Sequence, residues 1–301
     1  MVVPRRWLAD ASLLLVTLIW GTTFVVVKEA LTAVTPAAFL ALRFLLAAMA
    51  LGLVAGLRLR RLSRADLRGG LLLGLFLFAG FFFQTTGLQT TSASAAAFIT
   101  GLSVVIVPGL AWLALGQRPS RAVWVGVVLA TVGLALLTLR ETPLPQAGDL
   151  LVLLCALAFA GHIVATGALA PHSPPLALTT VQVATVALLS LPLAGPSLTL
   201  ALPGEVWAAV AFTGLGATAL VFAVQTWAQR YTSPTHAALI FTLEPVFAAL
   251  FAALVAGERL TPPALVGAAL MLAGMLVAEL GRGPETTPAA RALAGASGRR
   301  A

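Results

Sequence analysis

Charge is what this sequence has least of. Only 9% of its 301 residues are charged, whereas 60% are hydrophobic. A soluble globular protein carries about 25% charged residues to cover its water-facing surface, so a soluble enzyme of ordinary domains is excluded. Filaments and disordered chains are excluded too, since neither is apolar along nearly its whole length. The single cysteine, Cys155, lies in an apolar run, can form no internal disulfide and reads as a small core residue. Lys28 is the only lysine among 18 basic residues, a bias that reads as genomic composition. Catalytic patterns are missing as well: no mid-span aspartate pair, no H-E-x-x-H and no Ser–Lys dyad at central depth. That argues against an intramembrane hydrolase or other enzyme, and no filter-like loop suggests a channel.

What is present is a succession of apolar runs broken by short polar or Pro/Gly connectors. A helical span needs about 20 apolar residues, and ten such runs fall near 11–31, 36–57, 67–88, 93–115, 121–139, 149–169, 175–195, 204–228, 235–257 and 262–280. Pro36, Pro175 and Pro262 stand where a helix start tolerates a missing N–H. The tail 282–301 has no apolar run and reads as a disordered cytoplasmic segment. Arg5 and Arg6 ahead of an apolar stretch imitate a signal peptide, but that stretch has a counterpart later in the chain, so no cleavage is expected.

The net charge of +8 does not point to nucleic acid, because the basic residues sit in connectors and at the ends. With ten spans, one side of the membrane collects both termini and nearly all the arginines. The other side gets only Lys28, Arg140 and Arg259. The positive-inside rule then places both termini in the cytoplasm of a multi-pass protein of the cell (inner) membrane.

A shift of 141 positions lays Gln84–Gly133 on Gln225–Gly274 without a gap. Gln84-Thr85 meets Gln225-Thr226, Thr91-Ser92 meets Thr232-Ser233, and Gly126 and Gly133 meet Gly267 and Gly274. Upstream the match is weaker: Trp20-Gly21 lies near Ala160-Gly161 and Arg43 near Gln182. The expected fold is therefore an all-α integral membrane protein of two five-helix repeats, 1–140 and 141–281. Five is odd, so the second repeat enters the membrane inverted, the architecture of secondary transporters that work by alternating access.

These residues resemble the EamA family of the drug/metabolite transporter superfamily. The likeness is carried by Trp20-Gly-Thr-Thr-Phe-Val-Val-Val-Lys28, Leu42-Arg-Phe-Leu45, Thr90-Thr-Ser-Ala-Ser-Ala-Ala-Ala97, Leu243-Glu-Pro-Val-Phe247 and Gly257-Glu-Arg-Leu260, and runs from about residue 8 to 280. The first repeat departs from the commoner pattern, lacking a proline beside Ser103 and having Pro108 one turn later. The resemblance implies a ten-helix carrier with a central cavity to which the first and sixth helices contribute. Candidate cavity residues are Trp20, Gln84, Thr85, Thr100, Ser103, His162, Gln225, Phe241 and Glu244. Candidate helix breaks or hinges are Gly21, Pro108, Gly161 and Pro245.

Taken singly, several of these residues also have plainer readings. Gly126/Gly133 and Gly267/Gly274, seven apart, each mark one helix face for close packing. Trp7, Trp112, Trp124, Trp207 and Trp227 lie near span ends and read as interfacial anchors. Mid-span Trp20 reads either as core packing or as cavity wall. Arg43, in the outer third of its span, reads as an anchor whose stem snorkels. His162 is a satisfied core histidine or a proton carrier. Gln84 and Gln225 either glue helices or line the cavity. Glu244, directly before Pro245, is a functional carboxylate or a hydrogen-bonding group at a helix break. A cavity poor in fixed charge suits a small zwitterion or neutral metabolite. The expected activity is thus export of neutral or aromatic amino acids or related metabolites, with the lipid bilayer as surroundings and neither cofactor, metal nor nucleic acid as partner. The alternative is a flippase or carrier for an amphipathic lipid or drug-like solute. Substrate identity, coupling ion and oligomeric state are not legible.

Overall fold

The computed structural model describes residues 3–56, 59, 62–91, 93–138, 147–255 and 261–280. Arg58, Arg60, Arg61, Arg140, Arg259 and the tail 282–301 lie outside the described residues. So does Ser92. Among the described residues every regular element is helical.

In chain order these are α1 (Val3–Gly21) and α2 (Thr23–Ala30), α3 (Pro36–Ala55), α4 (Arg64–Gly87), α5 (Ala93–Gly101) and α6 (Ser103–Leu115), α7 (Arg121–Thr138) and α8 (Ala147–Leu169). Then follow α9 (Pro175–Ala194), α10 (Gly204–Ala211), a π-helical stretch Phe212–Leu220, α11 (Val221–Ala228), α12 (Pro234–Phe241), α13 (Glu244–Val255) and α14 (Pro262–Leu280). Eight helical runs are long and apolar enough to cross a membrane, and Arg121–Leu136 and Pro262–Ala278 are shorter apolar helices.

Helix starts follow local chemistry. Pro36, Pro175 and Pro262 each open a helix. Ser63 and Asp66 form a capping box, with Asp66 N–H donating to Ser63 Oγ and Ser63 N–H to Asp66 Oδ2, both at 3.0 Å. That box starts α4 three residues before the apolar run, which explains the late boundary read from hydropathy. Gly56 and Gly195 close α3 and α9 at φ of +49° and +45°, a backbone region that favours glycine.

The outside is more apolar than a soluble protein tolerates: Leu53, Leu113 and Leu280 are more than four-fifths exposed. The interior instead collects polar groups, with Arg43, His162, Gln182, Gln225 and Gln229 buried. Burial of apolar area cannot drive helix association in lipid, so close fit must. The tightest fit is between α7 and α14. A Cβ on Gly126 would stand 2.6 Å from the Gly274 carbonyl oxygen, and one on Gly133 2.5 Å from that of Gly267. Gly126 faces Gly274 while Gly133 faces Gly267, so the two helices run antiparallel. Elsewhere α3 packs on α9, and α4 on both α8 and α9. Glycines of α4 permit this, since Cβ atoms on Gly70 and Gly74 would strike Val181 and Thr185.

Three helical runs are interrupted, each by a tight turn in which an N–H reaches back three residues: Thr22 to Ile19, Leu102 to Ile99 and Leu243 to Ile240. Gly21 and Pro245 flank two of these interruptions. Pro108 and Gly161 do not, so neither of them marks a helix break. α6 continues through Pro108 and α8 through Gly161. Gly161 serves packing instead, because a Cβ there would meet the Phe76 ring at 2.6 Å. The break in the fourth helical run falls at Leu102 without a proline.

Candidate functional site

The three interruptions converge. A Cβ on Gly21 would lie 2.8 Å from the carbonyl oxygen of Glu244, so the end of α1 touches the start of α13 backbone to backbone. Around this point lies a cavity with about 720 Å³ of empty space, counted out to its mouth. From the first half of the chain it is lined by Trp20, Thr23, Phe24, Arg43, Phe81, Gln84, Ala97, Thr100, Gly101 and Ser103. From the second half come Phe159, His162, Ile163, Phe222, Gln225, Phe241, Thr242, Glu244 and Pro245.

All the candidate cavity residues except Thr85 stand on this wall. Thr85 is buried among helices, because the residue after Gln84 projects about 100° further round the helix. Gln84 Nε2 donates to Thr100 Oγ1 at 3.2 Å, and Thr100 Oγ1 lies 3.9 Å from Cys155 Sγ. Gln225 Nε2 donates to Gln229 Oε1 at 3.0 Å, and Gln229 Nε2 in turn to the Ile163 carbonyl at 2.9 Å. His162 Nε2 sits 2.6 Å from Gln182 Oε1, while Gln182 Nε2 donates to Thr226 Oγ1 at 3.3 Å. Its ring meets Phe222 edge to face at 5.7 Å. His162 is therefore a hydrogen-bonded interior side chain at the cavity wall.

Trp20 is fixed from two sides. Its ring centroid lies 5.4 Å from that of Phe222 and 5.3 Å from that of Phe241, in tilted and edge-on arrangements. Its Nε1–H donates to the Ala217 carbonyl at 3.1 Å. That carbonyl belongs to the π-helical stretch, whose wider winding changes the partners of its own backbone groups. The stretch also holds Arg43: Arg43 Nε donates to Thr218 Oγ1 at 2.8 Å, and the guanidinium carbon lies 4.5 Å from the centre of the Phe81 ring.

Arg43 is the main residue that sequence reasoning misplaced. It was expected to snorkel, yet only 3% of it is exposed and it faces the cavity. Phe81 was legible in principle, one turn before Gln84 on the same face. The π-helical stretch had only the weak signal of Gly214 and Gly216 among threonines.

Glu244 opens α13 with its carboxylate on the cavity wall. Among the described residues it makes no hydrogen bond or ion pair. Lys28 does not pair with Glu29; its Nζ donates to the backbone carbonyls of Thr91 and Leu88. Thr91 Oγ1 donates to Asp149, tying the connector between α4 and α5 to α8 at this end of the bundle. At the opposite end His236 Nε2 lies 3.2 Å from Asp10 Oδ1, tying α12 to α1. No group of three His, Cys, Asp or Glu side chains converges on a metal-sized point among the described residues.

Comparison with known proteins agrees with this geometry. The profile of the EamA-like transporter family matches residues 7–139 and again 146–279. A protein of Archaeoglobus fulgidus described as an uncharacterized transporter is 36% identical over 277 residues, spanning 92% of this chain and 87% of its own. The uncharacterized transporter YwfM of Bacillus subtilis is 30% identical over 266 residues, with 86% and 89% covered. A solved crystal structure superposes with a TM-score of 0.74 over 91% of this chain and 96% of the other, at 21% identity, a likeness of fold.

Proposed function

Because the chain belongs to the EamA-like transporter family, we propose that it exports neutral and aromatic amino acids, or metabolites of similar size and polarity, through the central cavity by alternating access. The observation that carries this reading is the wall of the cavity itself, to which both halves contribute and on which broken helices meet. A site between two halves is where exchange of their conformations alters access from one side to the other. Trp20, Phe81, Phe159, Phe222 and Phe241 supply an aromatic wall, while Gln84, Thr100, Ser103 and Gln225 supply hydrogen-bonding groups.

The same proposal includes ten spans in two inverted repeats, 1–140 and 141–281, in the cell inner membrane with both termini cytoplasmic. It is supported by the two consecutive family matches, the antiparallel contact of α7 with α14 and the one-sided arginines. Fusions near Thr35, Thr90 and Pro145 should report outside, and fusions near Arg61 and at the C terminus inside. A C terminus mapped outside would overturn the inverted arrangement.

The transport reading is tested with the purified chain in liposomes preloaded with unlabelled phenylalanine. Labelled phenylalanine should enter by saturable countertransport. Movement of a labelled phospholipid without that of any amino acid would favour a lipid substrate instead.

A further inference from the structure

Two ionisable side chains on the cavity wall, Arg43 and Glu244, have no charged partner among the described residues. Arg43 spends its Nε–H on a neutral hydroxyl, Thr218 Oγ1, and one face of its guanidinium on the Phe81 ring. Among the described residues its remaining N–H groups make no hydrogen bond or ion pair, yet they are not among the polar atoms sealed away without partners. They therefore open onto the cavity that Arg43 lines. Glu244 is in the same position with opposite sign: its carboxylate lines the same cavity and has no hydrogen bond or ion pair among the described residues. Ionising such a group without a partner is costly, so an unpartnered ionisable side chain in the interior marks a place where a ligand of opposite charge can answer it.

We infer that Arg43 and Glu244 are the two ends of a charge clamp for a zwitterion, with the substrate carboxylate on the free N–H edge of Arg43 and its ammonium on Glu244. This rests on the cavity being the transport site. A zwitterion neutralises both protein charges at once, whereas a substrate with a single charge leaves one of them unanswered. The clamp also joins the halves, since Arg43 comes from α3 and Glu244 from α13. The aromatic rings of Trp20, Phe222 and Phe241 then face the remainder of the substrate, favouring an apolar side chain.

The test uses the purified full-length protein with labelled L-phenylalanine, in binding and in countertransport. The parent protein is first challenged with phenylalaninamide, which lacks the carboxylate, and 3-phenylpropionate, which lacks the ammonium. Each should compete at least roughly tenfold less well than phenylalanine, as expected for loss of one charge-assisted contact. Arg43→Gln and Glu244→Gln should each weaken phenylalanine by roughly tenfold or more, with unchanged elution on size exclusion. Arg43→Lys, which keeps the charge but not the forked donors, should fall between. Selectivity should also relax at the mutated end: 3-phenylpropionate should compete as well as phenylalanine in Glu244→Gln, and 2-phenylethylamine should do so in Arg43→Gln.

Equal competition by the amide in the parent protein would overturn the clamp, as would saturable exchange of another solute with no uptake of any zwitterion. Both results leave the carrier reading intact. Recovery of parental activity in the double Arg43→Gln/Glu244→Gln variant would show that the two groups answer each other, and would also overturn it. Absence of saturable countertransport for every solute tried, in protein that elutes as a single species, would defeat both readings together.

Discussion

The two halves of the chain place polar side chains at matching positions, but in two of these pairs only one member is ionisable. α3 and α9 both begin with a proline and end at a glycine of positive φ, and in that register Arg43 corresponds to Gln182. The 141-residue shift likewise sets Ser103 against Glu244. Gln182 is absorbed by His162 and Thr226, whereas Arg43 turns its free edge to the cavity. The backbone shows the same division. The runs broken at Leu102 and Leu243 match, but α8 is continuous where α1 and α2 part, and α4 is continuous where its counterpart carries the π-helical stretch. Packing and the matched break at Leu102 and Leu243 are common to both halves. Charge and winding, which determine what the cavity presents, are not.

That comparison can be strained at four points. The largest effect should come from the seam that both halves share. Gly126→Leu and Gly274→Leu each force a side chain onto a carbonyl oxygen 2.6 Å from the Cβ position, so each should cost about 3 kcal/mol or more. Equal loss of folded protein on detergent extraction is expected; loss from one only would show that the seam is not shared. Moving the charge across the register comes next. Arg43→Gln with Gln182→Arg should lower transport roughly tenfold or more, and the lost His162–Gln182–Thr226 hydrogen bonds should destabilise by about 1–3 kcal/mol, read from the unfolding midpoint. Unaltered transport would mean that the halves are interchangeable at this position.

Smaller effects separate the two glycines that were expected to correspond. Gly21→Ala meets backbone atoms of Glu244 and Ala248, at 2.8 and 3.0 Å, which cannot swing aside. Gly161→Ala meets the Phe76 ring, which can. Gly21→Ala should cost about 1–2 kcal/mol and Gly161→Ala less, with thermal unfolding as the measure. The smallest is Trp20→Phe, which keeps the ring contacts and removes the bond to the Ala217 carbonyl. It should lower stability by about 1 kcal/mol.

Much of the architecture was legible because proline, glycine and serine act locally. Pro36, Pro175 and Pro262 mark helix starts wherever the helix lies, and the glycines of α7 and α14 announce a close crossing by their spacing. Rotation about the helix axis was less legible. In a span apolar on every side, no amphipathic pattern tells one face from another, so Arg43 was expected at the membrane boundary and Thr85 on the cavity wall, where the structure instead puts Arg43 on that wall and Thr85 between helices. Continuity was illegible for a related reason. A break needs only a local shift to three-residue hydrogen bonding, as at Leu102, and a proline such as Pro108 need not produce one when neighbouring helices hold the turn. The π-helical stretch depends on what it touches, Trp20 and Arg43 from distant parts of the chain, and short-range pattern does not contain that.

Cys155 gives the molecule a built-in reporter. It is fully buried, and its sulfur lies against Thr100 on the cavity wall, where α5 meets α8. With no other thiol in the chain, a small thiol-specific reagent has a single target in the native protein. In the arrangement described here that target is shielded; separation of α5 and α8 during transport would expose it. The rate of modification with and without substrate would therefore report whether this one seam opens, with no engineered residue and no background to subtract.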